Sequence, residues 1–444
     1  MSHTTASLAF KIRARKVLQI ALPAGLNSLL DIINVVLGAF FMGLLSNFHI
    51  IAVGLGLNFF MLVFAITNIF FIGTNAQISR LFGKRDFVGM NRVLSSMFFG
   101  ALSISIPLFF LAQMLYSGYF RWIGVDETSQ VLGEIFTNII IFMIPAILLK
   151  TIIVSAFSAI GNTKTPFYIK IFTTLLNLIL NYVLIFGIFF EPLDIVGIAL
   201  SNLITTHIEI VILLLCLVRK KGVLRLEYYF NAQILKKGLL LGIPIGLERA
   251  FTIISLILIS KFVASYGSDY LAGLQIGGRI ESFAVMPSFG FMVAAMALTG
   301  QFLGAGRRDM VQKIIYTTII IASVFMGFMG AFMIIFGEWL SHFFSQRAEI
   351  IYGSWLYLVC VGLSQIPLVF IFVIDGAFRG AGATKISLFL NTSFIWLLRI
   401  LPMSICLKLQ MPLLAIYLII LIETFLRGFA FFYIFRKYFN KIFV

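Results

Sequence analysis

The stretch VLQIALPAGLNSLLDIINVVLGAFFMGLL, Val17 to Leu45, decides the fold. At roughly 1.5 Å per residue, an apolar helix of this length more than crosses a hydrocarbon core of about 30 Å. Within it stand Pro23, Asn27, Ser28, Asn34 and a single formal charge, Asp31. An ionised carboxylate at mid-span costs about 2.5–3.5 kcal/mol on insertion scales, so an acid kept there is first read as functional. The competing reading is a structural acid paired to a neighbouring helix.

The rest of the composition agrees with a membrane solvent. Of 444 residues, 61% are hydrophobic, 11% are charged and 49 are Phe, more apolar surface than a water-soluble chain of this size can bury. The segment Met1–Lys16 is polar and basic and lacks a cleavage-type site, so the first apolar run is expected to be retained. Cys216, Cys360 and Cys406 lie in apolar runs without metal-ligand spacing, and no disulfide framework is implied. The net charge of +16 is distributed in alternate loops: Lys11, Arg13, Arg15 and Lys16; then Arg80, Lys84, Arg85 and Arg92; later Arg219, Lys220, Lys221 and Arg225; then Arg307, Arg308 and Lys313. This positive-inside pattern predicts a multi-pass protein of the cell (inner or plasma) membrane with both termini cytoplasmic. The same charge touches anionic lipid and gives no reason to expect nucleic acid.

Twelve apolar runs, bounded by Gly, Pro, Asn or charge, predict spans near 17–45, 50–79, 91–120, 132–160, 167–190, 195–218, 238–266, 271–303, 312–344, 350–378, 386–407 and 411–435. The polar linker Arg219–Lys237, with Gly222, Glu227 and Asn231, falls at the midpoint. Sliding the chain against itself by 221 residues aligns Pro23 with Pro244, Gly25 with Gly246 and Gly83 with Gly304. The same shift aligns Ala156-Phe157 with Ala377-Phe378, Gly161 with Gly382 and Thr163-Lys164 with Thr384-Lys385. Six spans separate the copies, so the halves share one orientation about an axis along the membrane normal. The expected architecture is therefore all-α: twelve transmembrane helices in two pseudo-symmetric six-helix bundles, residues 1–218 and 238–444, joined by a cytoplasmic linker over 219–237.

These blocks carry a family resemblance. Pro23 with Gly43, the segment Ala76-Gln77-Ile78-Ser79-Arg80-Leu81-Phe82-Gly83, the segment Thr299 to Arg307, and Gly376-Ala377-Phe378-Arg379-Gly380-Ala381-Gly382-Ala383-Thr384-Lys385 resemble multidrug and toxic compound extrusion (MATE) transporters, closer to the DinF-like branch than to the NorM-like one. The resemblance implies export of small organic, often cationic compounds, driven by H+ or Na+, with no other cofactor. It also implies an aspartate fifteen residues after the first-span proline, where this chain has Gly38; Asp31 lies two turns earlier on nearly the same helix face. The branch's fifth-span aspartate appears as Asn181, and the NorM-like seventh-span glutamate position is Thr252. Asp31 itself follows Pro23 by the same eight residues.

The glycines are read chiefly as helix-end residues: Gly83, Gly304 and Gly306 after the second and eighth spans, Gly161, Gly380 and Gly382 after the fourth and tenth. Pro23 and Pro244 are expected to kink their helices and serve as hinges. The candidate ion-coupling or substrate-binding residues are Asp31, Asn34, Asn177, Asn181, Glu281, Glu248 and Asp375. Lys150 or Lys170 is a possible partner of Asp31, and Glu423 with Arg427 reads as a local ion pair. Asn177 and Asn181, four apart, either reach Asp31 or merely bridge helices. His3, His49, His207 and His342 are scattered, and no nucleophile–base or metal spacing is present, so a catalytic site is not expected. A monomeric secondary antiporter is the leading reading. A flippase for a lipid-linked precursor and a non-transporting membrane scaffold are the alternatives.

Overall fold

The computed structural model describes residues 3–188, 191–218 and 222–443. The regular structure among the described residues is helical, with no strand. In order they form α1 (His3–Leu45), α2 (Asn47–Gly83), α3 (Phe87–Ile123), α4 (Glu127–Ile141), α5 (Ile144–Ala159), α6 (Lys164–Phe186), α7 (Asp194–Val218) and α8 (Ala232–Ala264). There follow α9 (Ser268–Gly304), α10 (Arg308–His342), α11 (Ala348–Leu363), α12 (Gln365–Gly380), α13 (Thr384–Phe394), a π-helical turn Ile395–Ile400, α14 (Leu401–Lys408) and α15 (Leu413–Ile442). Among the described residues ten helices are long and apolar enough to cross a membrane, and two bent pairs, α4 with α5 and α11 with α12, bring the number to twelve where each pair is counted as one span.

The bends fall where the sequence reading had straight spans. The helices of the two pairs meet at 50° and 56°. Pro145 opens α5 and Pro367 lies in the first turn of α12, each at a point where a residue without an N–H and with fixed φ starts a helix well and continues one badly. By contrast α1 and α8 run unbroken through Pro23 and Pro244.

Contacts divide the chain into two compact units, Leu26–Gly242 and Met1–Gly25 with Ile243–Val444. The linker-based boundary at 219–237 and this one differ by an exchange: the first turns of α1 pack with the carboxy-terminal half, those of α8 with the amino-terminal half. Close backbone approach makes the exchange possible. A Cβ on Gly290 of α9 would stand 2.0 Å from the Ala21 carbonyl oxygen, and one on Gly242 of α8 would stand 2.0 Å from that of Ile69 on α2. The two contacts are related by the 221-residue repeat. Val17, Ile20 and Ala21 are buried with Phe291, Ala294 and Phe378 in one unit; Phe60, Phe70, Met97 and Ile153 form the core of the other.

The midpoint linker is tied down from residue 224 onward, whereas Arg219, Lys220 and Lys221 lie outside the described residues. Its amides bond buried polar side chains of α3: Arg225 N–H to Asn91, Glu227 N–H to Ser95 and Asn231 N–H to Ser96, at 3.0, 2.8 and 3.1 Å. An extended segment without a sheet partner thus finds acceptors on one helix face.

Four helix ends repeat one capping geometry. After α5 and α12, Gly161 and Gly382 take left-handed φ of 83° and 80°; after α2 and α9, Arg85 and Gly306 take 61° and 70°. In each, the left-handed residue and its successor donate back to the last turn; Asn162 N–H reaches the Phe157 carbonyl at 2.9 Å and Ala383 N–H that of Phe378 at 2.8 Å. Gly83, Gly304 and Gly380, expected to allow these turns, instead end the helices proper. Gly380 serves close packing, since a Cβ there would meet the Met296 carbonyl oxygen at 2.2 Å.

Candidate ion-coupling sites

In the unit Leu26–Gly242, four charges within α1, α5, α6 and α7, those of Asp31, Lys150, Lys170 and Glu209, form two linked pairs. Lys170 Nζ lies 2.6 Å from Asp31 Oδ1, and Lys150 Nζ lies 2.9 Å from Glu209 Oε2. Lys170 also faces Glu209, which joins the pairs electrostatically. The burial is the reverse of the sequence expectation: the Lys170 side chain is 10% exposed and that of Asp31 60%. One turn beyond Asp31, Asn34 donates from Nδ2 to Thr174 Oγ1 at 3.2 Å, and Thr174 is one turn beyond Lys170. Asn34 Oδ1 is buried without a hydrogen-bond partner among the described residues.

Asn177 and Asn181 turn away from Asp31 and bridge α6 to α7. Asn177 Nδ2 donates to Asn202 Oδ1 and Thr205 Oγ1, Asn181 Nδ2 donates to Asn177 Oδ1 at 3.0 Å, and the Ser201 hydroxyl donates to Asn181. Between the two readings left open for this amide pair, the contacts are those of a helix bridge.

The other unit carries a larger network. Glu248 on α8 accepts from Arg379 of α12 and Asn391 of α13, both at 3.0 Å. Arg379 also holds Asp375 on its own helix at 2.5 Å. The second carboxylate oxygens, Glu248 Oε2 and Asp375 Oδ1, are buried without a hydrogen-bond partner among the described residues. Glu423 and Arg427 are 3.1 Å apart, as expected, but the pair has a third member: Arg399, presented by the π-helical turn, bonds Glu423 and donates to Thr424 at 3.2 Å. Glu281 on α9 accepts the Tyr357 hydroxyl at 2.6 Å, with Arg399 in electrostatic reach. The π turn aims a cation that a plain helical reading of residues 386–407 does not bring to Glu423.

Two partners escaped the sequence reading though their signal was there. Arg379 stands inside the glycine motif, and Asn391 is the position that the 221-residue shift lays on Lys170. Lys170 and Asn391 are thus repeat-related donors, each on the helix after the left-handed Gly161 or Gly382 turn and each reaching an acid on the first helix of its half. The acids differ by one turn, Asp31 lying eight residues after Pro23 and Glu248 four after Pro244. Among the described residues no three His, Cys, Asp or Glu side chains gather to hold a metal ion.

The sequence model of the MatE family matches residues 23–183 and again 244–405, starting at Pro23 and at Pro244. The chain belongs to the MatE family. Among relatives of this MATE protein, the probable multidrug resistance protein NorM of Thermotoga maritima is 28% identical over 259 residues, 56% of this chain and 55% of that one, so the match spans about half its length. The multidrug export protein MepA of Staphylococcus saprophyticus is 24% identical over 378 residues, 82% of each chain. A MOP superfamily transporter from Pyrococcus furiosus shares the fold over 97% of this chain and 96% of its own, with a TM-score of 0.91 at 18% identity. The Vibrio cholerae MATE transporter VcmN, as a variant, gives 0.91 over 98% of both chains at 18% identity. The expected all-α fold with paired sets of membrane helices is that of these transporters.

Proposed function

We propose that the protein is a secondary active antiporter that exports amphipathic, often cationic organic compounds in exchange for H+, by alternating access of its two units. The observation that carries this reading is the MatE match over both halves. It sets the chain beside relatives named for multidrug export.

Coupling requires a charged group whose partner can change inside the membrane, and each half supplies one on its first helix. Asp31 stands opposite Lys170, and Glu248, with Asp375, stands around Arg379. Proton uptake by either acid releases its cationic partner and alters the attraction between helices, a local change able to bias two arrangements of a unit. Pro23 and Pro244 are the proposed hinges, since the boundary between units falls within a turn of each. The test is transport of a lipophilic cationic dye by purified protein in lipid vesicles, with pH and Na+ gradients imposed separately. A pH gradient alone is expected to drive dye against its concentration. Transport driven only by Na+ would reassign the ion, and transport by neither gradient would remove the antiport reading.

A further inference from the structure

The place beside Asp31 has the makings of a small-cation site. A carboxylate oxygen, the unpartnered buried Asn34 Oδ1 and Thr174 Oγ1 lie on adjoining turns of α1 and α6, and oxygen donors of this kind suit hard cations. Yet the carboxylate already has a cation. The Lys170 ammonium sits 2.6 Å from it, carried on a buried stem. The fold does not demand a charge there, because the repeat-related position holds the neutral Asn391, which donates to an acid one turn earlier on the first helix of its own half, Glu248.

We infer that Lys170 is a tethered cation that fills the ion place at Asp31 and keeps Na+ off this unit. An ammonium and a sodium ion compete for the same carboxylate oxygen, and the tethered one is present at high effective concentration. The neighbouring charges do not release it: Glu209 attracts Lys170 as well, and Lys150 is occupied by Glu209. What Asp31 exchanges during a cycle is then its lysine for a proton. For coupling this rests on the antiport reading, but ion occupancy does not, and it is measured without transport.

The experiment is thermal unfolding of the purified full chain in detergent, in NaCl against KCl at equal ionic strength. Wild type and Asp31→Asn are expected to respond alike to the two salts. Lys170→Met and Lys170→Asn vacate the place, and each is expected to gain a Na+-specific upward shift of roughly 2–4 °C near saturation. Adding Asp31→Asn to either should abolish the gain. Lys170→Asn copies a partner the other half already uses, so it guards against failure of the Met variant to fold. A Na+-specific shift in wild type that disappears in Asp31→Asn would overturn the inference, as would folded Lys170 variants that show no Na+ preference. Dye transport that fails while the Lys170 variants gain Na+ binding would sink the antiport reading and leave this one standing.

Discussion

Lys170 and Asn391 stand 221 residues apart, and each binds the carboxylate on the first helix of its own half, Lys170 to Asp31 at 2.6 Å and Asn391 to Glu248 at 3.0 Å. The repeat keeps the donor position and changes its charge, while the acid shifts by one turn, from eight residues after Pro23 to four after Pro244. In the second half the cation comes from Arg379 instead, so Asn391 contributes one hydrogen bond to a charged acceptor. Such bonds are worth about 1.5–3 kcal/mol. Asn391→Leu is expected to lower the melting temperature by that order. In a double-mutant cycle with Glu248→Gln, most of the loss should be coupled rather than additive. Simple additivity would mean the contact contributes nothing of its own.

Arg85 and Gly306 share the left-handed turn position of the repeat, and only one of them is suited to it. A side chain there costs roughly 1–2 kcal/mol, of which Gly returns about 0.5–1 through its more flexible unfolded chain. Arg85 is exposed and its removal opens no core. Arg85→Gly is therefore expected to raise stability by about 0.5–1 kcal/mol. An unchanged or lower melting temperature would show that the arginine makes a compensating contact.

The exchange of first turns between units depends on backbone contact at Gly242. Alanine there puts a methyl carbon 2.0 Å from the Ile69 carbonyl oxygen, and the helices must part. Overpacking of this kind costs about 1–3 kcal/mol. Gly118→Ala is the control, since nothing lies within 4 Å of its Cβ position. Equal melting temperatures for the two variants would refute the close approach.

Much of this molecule was legible because the bilayer restricts the choices. Span number, the 221-residue repeat and the glycine turns follow from apolar length and from residues that tolerate left-handed φ. The site was legible only as a set of names. Sequence places Asp31, Lys170, Glu209 and Lys150 on four helices but says nothing of their rotations, so the exposed acid beside the buried lysine was not foreseen. The π-helical turn that delivers Arg399 to Glu423 leaves no mark in apolar periodicity. Asn177 and Asn181 are correctly spaced for one face, and which neighbour that face meets is a matter of packing.

The loop charges make a topological prediction. A single Cys at Gly222, exposed in the midpoint linker, should resist impermeant label in intact cells, whereas one at Thr128, exposed beyond the end of α3, should react. The next residue, Ser129, is by contrast buried, with its amide bonded to the Asp126 cap at 2.8 Å. That bond holds the Asp126 carboxyl below its ordinary range. Labelling of Gly222→Cys from outside would invert the assignment of both termini.

Asp31→Asn is the sharpest test of the coupling proposal. The substitution preserves shape, and the side chain is open enough that no core is disturbed. It leaves Lys170 without its nearest carboxylate, but Glu209 remains to neutralise it in part. Normal membrane levels are therefore expected. Loss of the titratable group should reduce dye transport under a pH gradient by at least about tenfold, the change that roughly 1.4 kcal/mol of lost coupling produces. Glu248→Gln separates the two halves: if it alone abolishes transport while Asp31→Asn retains the wild-type rate, Asp31 serves only to hold Lys170. The proton must then be sought among Glu248, Asp375 and Glu281, where two acids keep buried oxygens without a hydrogen bond among the described residues and the third accepts from Tyr357.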